Sequence, residues 1–214
     1  MPTDLRDPRF ESVAPVVLAG GRSRRFGRDK LQEPVGERRL VEHAIAALRE
    51  VFGPRVAIVG DCDTSVRSAG DVWIPDEHPG IGPMGGVATA LRRLDRAVLV
   101  LAGDLAGIDA ATVRALAEAS FAPPTARVAL AVTDAPEATR RHPCAAVYAP
   151  AMLEVLEAMI GQQRYSLLAA IDRIAAESVV EVRCEPRCLA NINEPGDLAG
   201  LFGRIAVAER VLDA

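Results

Sequence analysis

Thirteen residues, LAGGRSRRFGRDK (Leu18 to Lys30), hold three glycines, four arginines and a lysine directly behind the apolar run VAPVV. Gly20 and Gly21 would let the backbone turn sharply and set bare N–H groups against phosphate oxygens. Arg24, Arg25 and Lys30 add the positive charge that a polyphosphate needs. For any one arginine a solvated basic turn is the plainer reading; for the whole loop behind a buried strand, phosphate binding is. The spacing is not a Walker A loop, which needs a lysine beside the last glycine, and it is not G-x-G-x-x-G.

A second position that could do chemistry ends the most continuous apolar run, AVLVLAGD (97–104). If that strand neighbours the first, the carboxylate of Asp104 stands beside the Gly/Arg loop. A carboxylate next to a polyphosphate calls for a cation between them, and Mg²⁺ takes one or two carboxylates plus phosphate oxygens. The alternative is that Asp104 caps the following helix or turn. The stretch PGIGPMGG (79–86) leads into a helix and would wall a base-and-ribose pocket with backbone, or simply make a tight turn. Asp76, just upstream, would accept hydrogen bonds from a purine edge or a ribose hydroxyl, or be an ordinary surface acid.

These residues need a scaffold, and the hydrophobic pattern describes one. Strand-like runs occur at 16–20, 55–61, 71–74, 97–104, 127–133, 144–149, 179–183 and 188–192. Helical stripes cover 40–52, 86–94, 110–119, 151–160 and 166–176, and NEPGDLAGLF opens a closing helix with Asn193 as N-cap. Alternating strands and helices predict an α/β fold: a single domain with a mostly parallel, Rossmann-like sheet and helices on both faces. Ligands of such sheets bind beyond the carboxyl ends of the strands, where the glycines and acids collect. Residues 1–12, polar with two prolines, read as a flexible leader before a domain spanning 13–214.

Composition narrows the classes. At 214 residues and a net charge of −4, the chain as a whole is no nucleic-acid binder, so a basic site must be local. No apolar run approaches a membrane span, and no targeting segment is visible, which predicts a cytoplasmic protein without membrane partners. The cysteines at 62, 144, 184 and 188 complete no zinc set and read as reduced thiols.

Taken together, these motifs resemble the nucleotidyltransferase superfamily with a nucleotide-diphospho-sugar-transferase-like fold, and within it the molybdenum cofactor guanylyltransferases. The family's L-A-G-G-x-S-x-R-M-G-x-D-K appears here as LAGGRSRRFGRDK, with Phe26 for methionine; G-P-L-x-G appears as GPMGG (82–86), and N-x-N-[TS]-P-x-[DE]-L as NINEPGDL (191–198). The resemblance implies GTP and molybdenum-loaded molybdopterin as substrates, Mg²⁺ as cofactor, and molybdoenzymes or their chaperones as further partners. It implies nucleotide contacts from Leu18, Ala19, Gly20, Gly21, Asp76, Gly82 and Gly86, with Arg25 and Lys30 on the phosphates and Asp104 on the metal. Arg25, Lys30 and Asp104 are the expected catalytic residues. His142 (in RRHPC), Arg164 (in GQQRYSL), Asn191 and Asn193 fall where the family contacts the pterin; His142 read alone is more often structural. Three departures stand out: Gly60 replaces a frequent asparagine, Asp104 is followed by LAG rather than by x-P, and PDEHPGIGP differs in length from some relatives. LAGG, where cytidylyl relatives usually carry L-A-A-G, favours guanine over transfer of CMP. Intact Arg25, Lys30 and Asp104 oppose a non-catalytic nucleotide-binding role.

Overall fold

Six consecutive residues, Val13–Leu18, form β1, and their side chains alternate between two apolar layers: Val17 joins one core cluster and Val16 the other. A strand buried on both faces must be apolar throughout, which is why no polar alternation marks it. The computed structural model describes residues 7–20, 29–134 and 138–190. After β1, a two-residue hairpin, β2 (Pro34–Val35) and β3 (Arg38–Arg39), leads into α1 (Leu40–Phe52). Eight residues of α1 are buried, and Gly53 ends it with its N–H on the Arg49 carbonyl. Then follow β4 (Ala57–Val59), α2 (Thr64–Arg67), β5 (Val72–Ile74), α3 (Pro83–Leu94), β6 (Ala97–Ala102) and α4 (Ala110–Ala119). The later elements are β7 (Val128–Thr133), β8 (Arg140–Tyr148), α5 (Met152–Gly161), α6 (Leu167–Ile171) and β9 (Val179–Arg183).

The seven-stranded sheet runs β5-β4-β1-β6-β8-β7-β9. Its neighbours are parallel except at β8, which is antiparallel to both β6 and β7. Helices α1 and α4 supply one apolar layer, while α3, α5 and α6 supply the other. Burying a Leu, Ile or Val side chain in either layer contributes roughly 1.5–3 kcal/mol. The chain leaves β1 toward β4 and β5, then returns to place β6 on the other side of β1. This makes a topological switch point between β1 and β6, where α/β sheets open a ligand crevice.

Two expectations need correction. Residues 8–12 are not loose: they form a 3₁₀ turn, and Phe10 is 1% exposed, packed on Phe52 and Phe121. A polar-looking segment is anchored by its one large aromatic, and Arg55 and Arg96 add hydrogen bonds to the Phe10 and Glu11 carbonyls. Residues 188–192, expected as a strand, begin instead with the end of a 3₁₀ turn over Pro186–Leu189, started by a proline that has no N–H to give a ladder. The helix expected to open at Asn193 lies outside the described residues.

Candidate active site

At the carboxyl ends of β1 and β6 the two strands stay in register to their last residues, Leu18 opposite Ala102. The Gly103 N–H then donates to the Leu18 carbonyl at 3.0 Å. The next residue is Asp104, so the fold meets the condition on which its role depends: the first strand and the acid-bearing strand are neighbours. Lys30 stands on a short 3₁₀ turn, Lys30–Gln32, whose cap is Asp29 through a bond from the Leu31 N–H. Leu31 is buried against Gly103: a Cβ there would stand 3.2 Å from both Leu31 methyls. That contact brings Lys30 to Asp104, and Lys30 Nζ donates to Asp104 Oδ2 at 2.6 Å with side chains only 21% and 15% exposed.

Asp104 Oδ1 is buried and accepts no hydrogen bond from the described residues. A buried carboxylate oxygen without a donor is costly, so this atom suits a cation ligand. Helix capping is ruled out as its task, since the cap of α4 is Asp109, whose carboxylate takes the Thr112 N–H at 2.8 Å. No group of three or more His, Cys, Asp or Glu among the described residues is gathered to hold a metal. Mg²⁺ needs no such cage, because phosphate and water complete its shell. Residues and ion therefore fit.

Around this pair the expected nucleotide residues divide. Gly20 is exposed at the mouth of the loop. Leu18 is half-buried and its carbonyl is taken by Gly103. Ala19 is turned into the core, fully buried, with its N–H on the Val59 carbonyl at 2.9 Å. Gly86 is also buried, and a Cβ there would meet Leu18 Cδ2 at 2.8 Å, so it lets α3 close on β1 rather than facing a ligand. Gly82, by contrast, is exposed: it caps α3 with φ of 82°, ahead of Pro83, and apart from its chain neighbours no described residue lies within 4 Å of a Cβ placed there. Asp76 uses Oδ1 to accept from the His78 N–H (2.9 Å) and the Thr89 hydroxyl (3.1 Å), which shapes the 75–82 loop. Glu77 pins that loop further through Arg92 and Arg93 on α3. Gly21, Arg25, Asn191 and Asn193 lie outside the described residues.

One residue that sequence reasoning noted only as a departure proves structural. Gly60 follows β4 with φ of +135°, and a Cβ would lie 2.5 Å from the Ala19 carbonyl oxygen. No side chain fits, so the frequent asparagine has no room here. The Gly60 carbonyl accepts from Trp73 Nε1 at 3.0 Å, and the Arg67 guanidinium stacks on the indole at 4.0 Å.

On the other side of β6, β8 brings RRHPC to the same end of the sheet. His142 Nε2 pairs with the buried Thr133 hydroxyl at 2.9 Å. Burial, helped by the neighbouring Arg140 charge, holds its imidazole below the usual histidine range. Cys144 is pushed up to about 11 by burial and, secondarily, by the Asp104 charge, so the start of β8 lies within the electrostatic reach of Asp104. All four cysteines are free thiols. Arg164 is exposed in the turn after α5, a helix that returns from the amino end of the sheet to the carboxyl end. Gln163 beside it has φ of 57°. Among the described residues no helix is long and apolar enough to cross a membrane.

Residues 15–177 match the MobA-like NTP transferase domain. A protein of Mycobacterium tuberculosis H37Rv described as "probable molybdenum cofactor guanylyltransferase" is 30% identical over 197 residues, covering 89% of this chain and 94% of its own. Among solved structures, the molybdopterin-guanine dinucleotide biosynthesis protein A of Archaeoglobus fulgidus superposes with a TM-score of 0.68 at 24% identity, over 90% of this chain and 98% of that one. The 2-C-methyl-D-erythritol 4-phosphate cytidylyltransferase of Thermus thermophilus shares the fold at a TM-score of 0.63 and 19% identity, over 88% and 96%.

Proposed function

The chain belongs to the MobA-like NTP transferase family, and on that premise we propose that it transfers GMP from GTP to the phosphate of molybdenum-loaded molybdopterin. The products are the guanine dinucleotide cofactor and pyrophosphate. The observation that carries this reading is the Lys30–Asp104 pair at the switch point, with one carboxylate oxygen buried and unpartnered.

In the reaction an oxygen of the acceptor phosphate forms a bond to the α-phosphorus of GTP. The bond from that phosphorus to the bridging oxygen breaks, and pyrophosphate leaves with the electron pair. The acceptor oxygen is already anionic, so no side chain has to remove a proton. The chain's own work is positioning and charge neutralisation. Gly20 and Gly82 offer backbone to the nucleotide, Asp76 shapes the loop over base and ribose, and Lys30 with Arg25 meets the phosphates. Asp104 would hold Mg²⁺ through Oδ1 while Lys30 fixes Oδ2; the ion, when bound, neutralises charge on the triphosphate. His142, Arg164, Asn191 and Asn193 receive the pterin. The cytoplasm, where such a substrate would be met, is part of the same proposal.

The test is to incubate the full chain with Mg²⁺, molybdopterin and each nucleoside triphosphate in turn, and to measure pyrophosphate and dinucleotide product. Product with GTP well above the others is expected. Preference for CTP, or pyrophosphate release that ignores molybdopterin, overturns the assignment.

A further inference from the structure

The carboxyl end of the sheet is irregular at β8. Its ladder with β6 runs from Val98 opposite Tyr148 to Leu101 opposite Ala145 and stops there. Its ladder with β7 holds to Leu130 opposite Ala146, and the next pair is Ala131 opposite His142. Pro143, Cys144 and Ala145 therefore sit between two consecutive β7 partners as a bulge. Pro143 is the chemical reason, because it has no N–H to give and a proline within a sheet is confined to edges and bulges. Beyond the bulge, Arg140–His142 pair with Thr133–Ala131 of β7 and leave the ladder with β6. Bulges beside active sites re-aim side chains.

Such a bulge leaves the Pro143 carbonyl without a ladder donor, and one is supplied from within the same strand. Tyr148 donates its hydroxyl to that carbonyl at 2.7 Å. Tyr148 is 0% exposed, in an apolar layer where phenylalanine would pack as well. A hydroxyl buried there is unfavourable unless bonded. Burial also raises the phenol above its usual range, so it remains a donor.

We propose that Tyr148 is a positioning residue for the acceptor side of the site: its hydroxyl fixes the bulge at Pro143, and the bulge sets His142 where the acceptor docks. The docking part rests on the function proposed above, whereas the link from Tyr148 to His142 stands without it. Tyr148→Phe keeps the ring and removes the bond. In the full chain the KM for molybdopterin should rise about fivefold, the size of one neutral hydrogen bond, with kcat and the KM for GTP nearly unchanged. In a His142→Ala background the same change should add little, because the two act through one another. The chain has three histidines, so the His142 imidazole NMR signal is identified by its loss in His142→Ala. Tyr148→Phe should move that signal and leave those of His43 and His78 in place. An unmoved His142 signal, or a GTP KM that rises as much as the acceptor KM, overturns the proposal. If the unsubstituted chain transfers nothing to molybdopterin, the substrate assignment fails, and the His142 signal still decides whether Tyr148 positions it.

Discussion

The two halves of the sheet's carboxyl edge are built by different means. On the β5-β4-β1-β6 side, parallel strands end in turns shaped by glycine backbone, and the one ion pair that matters is set by Leu31 packing on Gly103. On the β8-β7-β9 side a reversed strand carries a bulge, and side-chain hydrogen bonds set its shape: Thr133 holds the His142 ring and the Tyr148 hydroxyl holds the Pro143 carbonyl. A half made of backbone tolerates few substitutions but asks little of its neighbours. A half made of side chains depends on pairing register, and its contacts can be lost one at a time.

The sharpest way to break this comparison is at the ion pair. Lys30→Ala or Asp104→Asn should lower kcat/KM roughly 10²-fold or more in a steady-state assay, as removal of a transition-state charge partner does. Turnover close to normal in either would leave the first half without its chemistry. Next in size is the backbone itself. Gly60→Ala should destabilise the fold by about 2 kcal/mol or more in urea unfolding, from strain at positive φ and a clash with the Ala19 carbonyl. Gly86→Ala should cost less than ~1 kcal/mol, because the obstructing atom is a methyl of half-exposed Leu18 that can rotate away. Equal losses at the two glycines would dissolve the distinction drawn between them.

The smallest effect concerns the other half and pH. His142 titrates below its unfolded value of 6.5. Between the two values the unfolded chain binds a proton that the folded chain refuses, so stability falls as pH drops from about 6.5 toward the folded value, and is whole above 6.5. Replacing His142 with Asn should flatten that part of the stability curve, measured by urea unfolding at successive pH values. An unchanged slope would mean that the imidazole is as free in the fold as outside it.

These two halves were also unequally legible. Asp104 could be read because a buried apolar strand that ends on a carboxylate is conspicuous, but the β1–β6 adjacency that makes it useful is given by the strand order alone. Helices such as 40–52 and 110–119 were readable to the residue from their apolar stripes. Gly60 was visible only as a missing asparagine, since its reason is a carbonyl oxygen on a different strand. The direction of β8 was not legible, because a strand buried on both faces is apolar in either orientation. Nor was the bulge: the apolar pattern starts the strand at 144, so Pro143 fell just outside it, whereas β8 begins at Arg140. Ala19 and Gly86 were expected at the ligand because their motifs surround it; those motifs also contain residues that pack β1 against β4 and α3. Gly21 and Arg25 rest on the LAGG motif, and Asn191 and Asn193 on NINEPGDL, as proposals.

The indole of Trp73, bonded to the Gly60 carbonyl and covered by Arg67, belongs to the only tryptophan in the chain. The protein thus carries an intrinsic optical probe planted in the β5-β4-β1-β6 half and nowhere else. A ligand that disturbs the turn after β4 changes the emission of a single fluorophore, with no background from other tryptophans, whereas one confined to the start of β8 leaves that emission alone. Adding the two substrates in either order, without any label, therefore separates the filling of one half from the filling of the other.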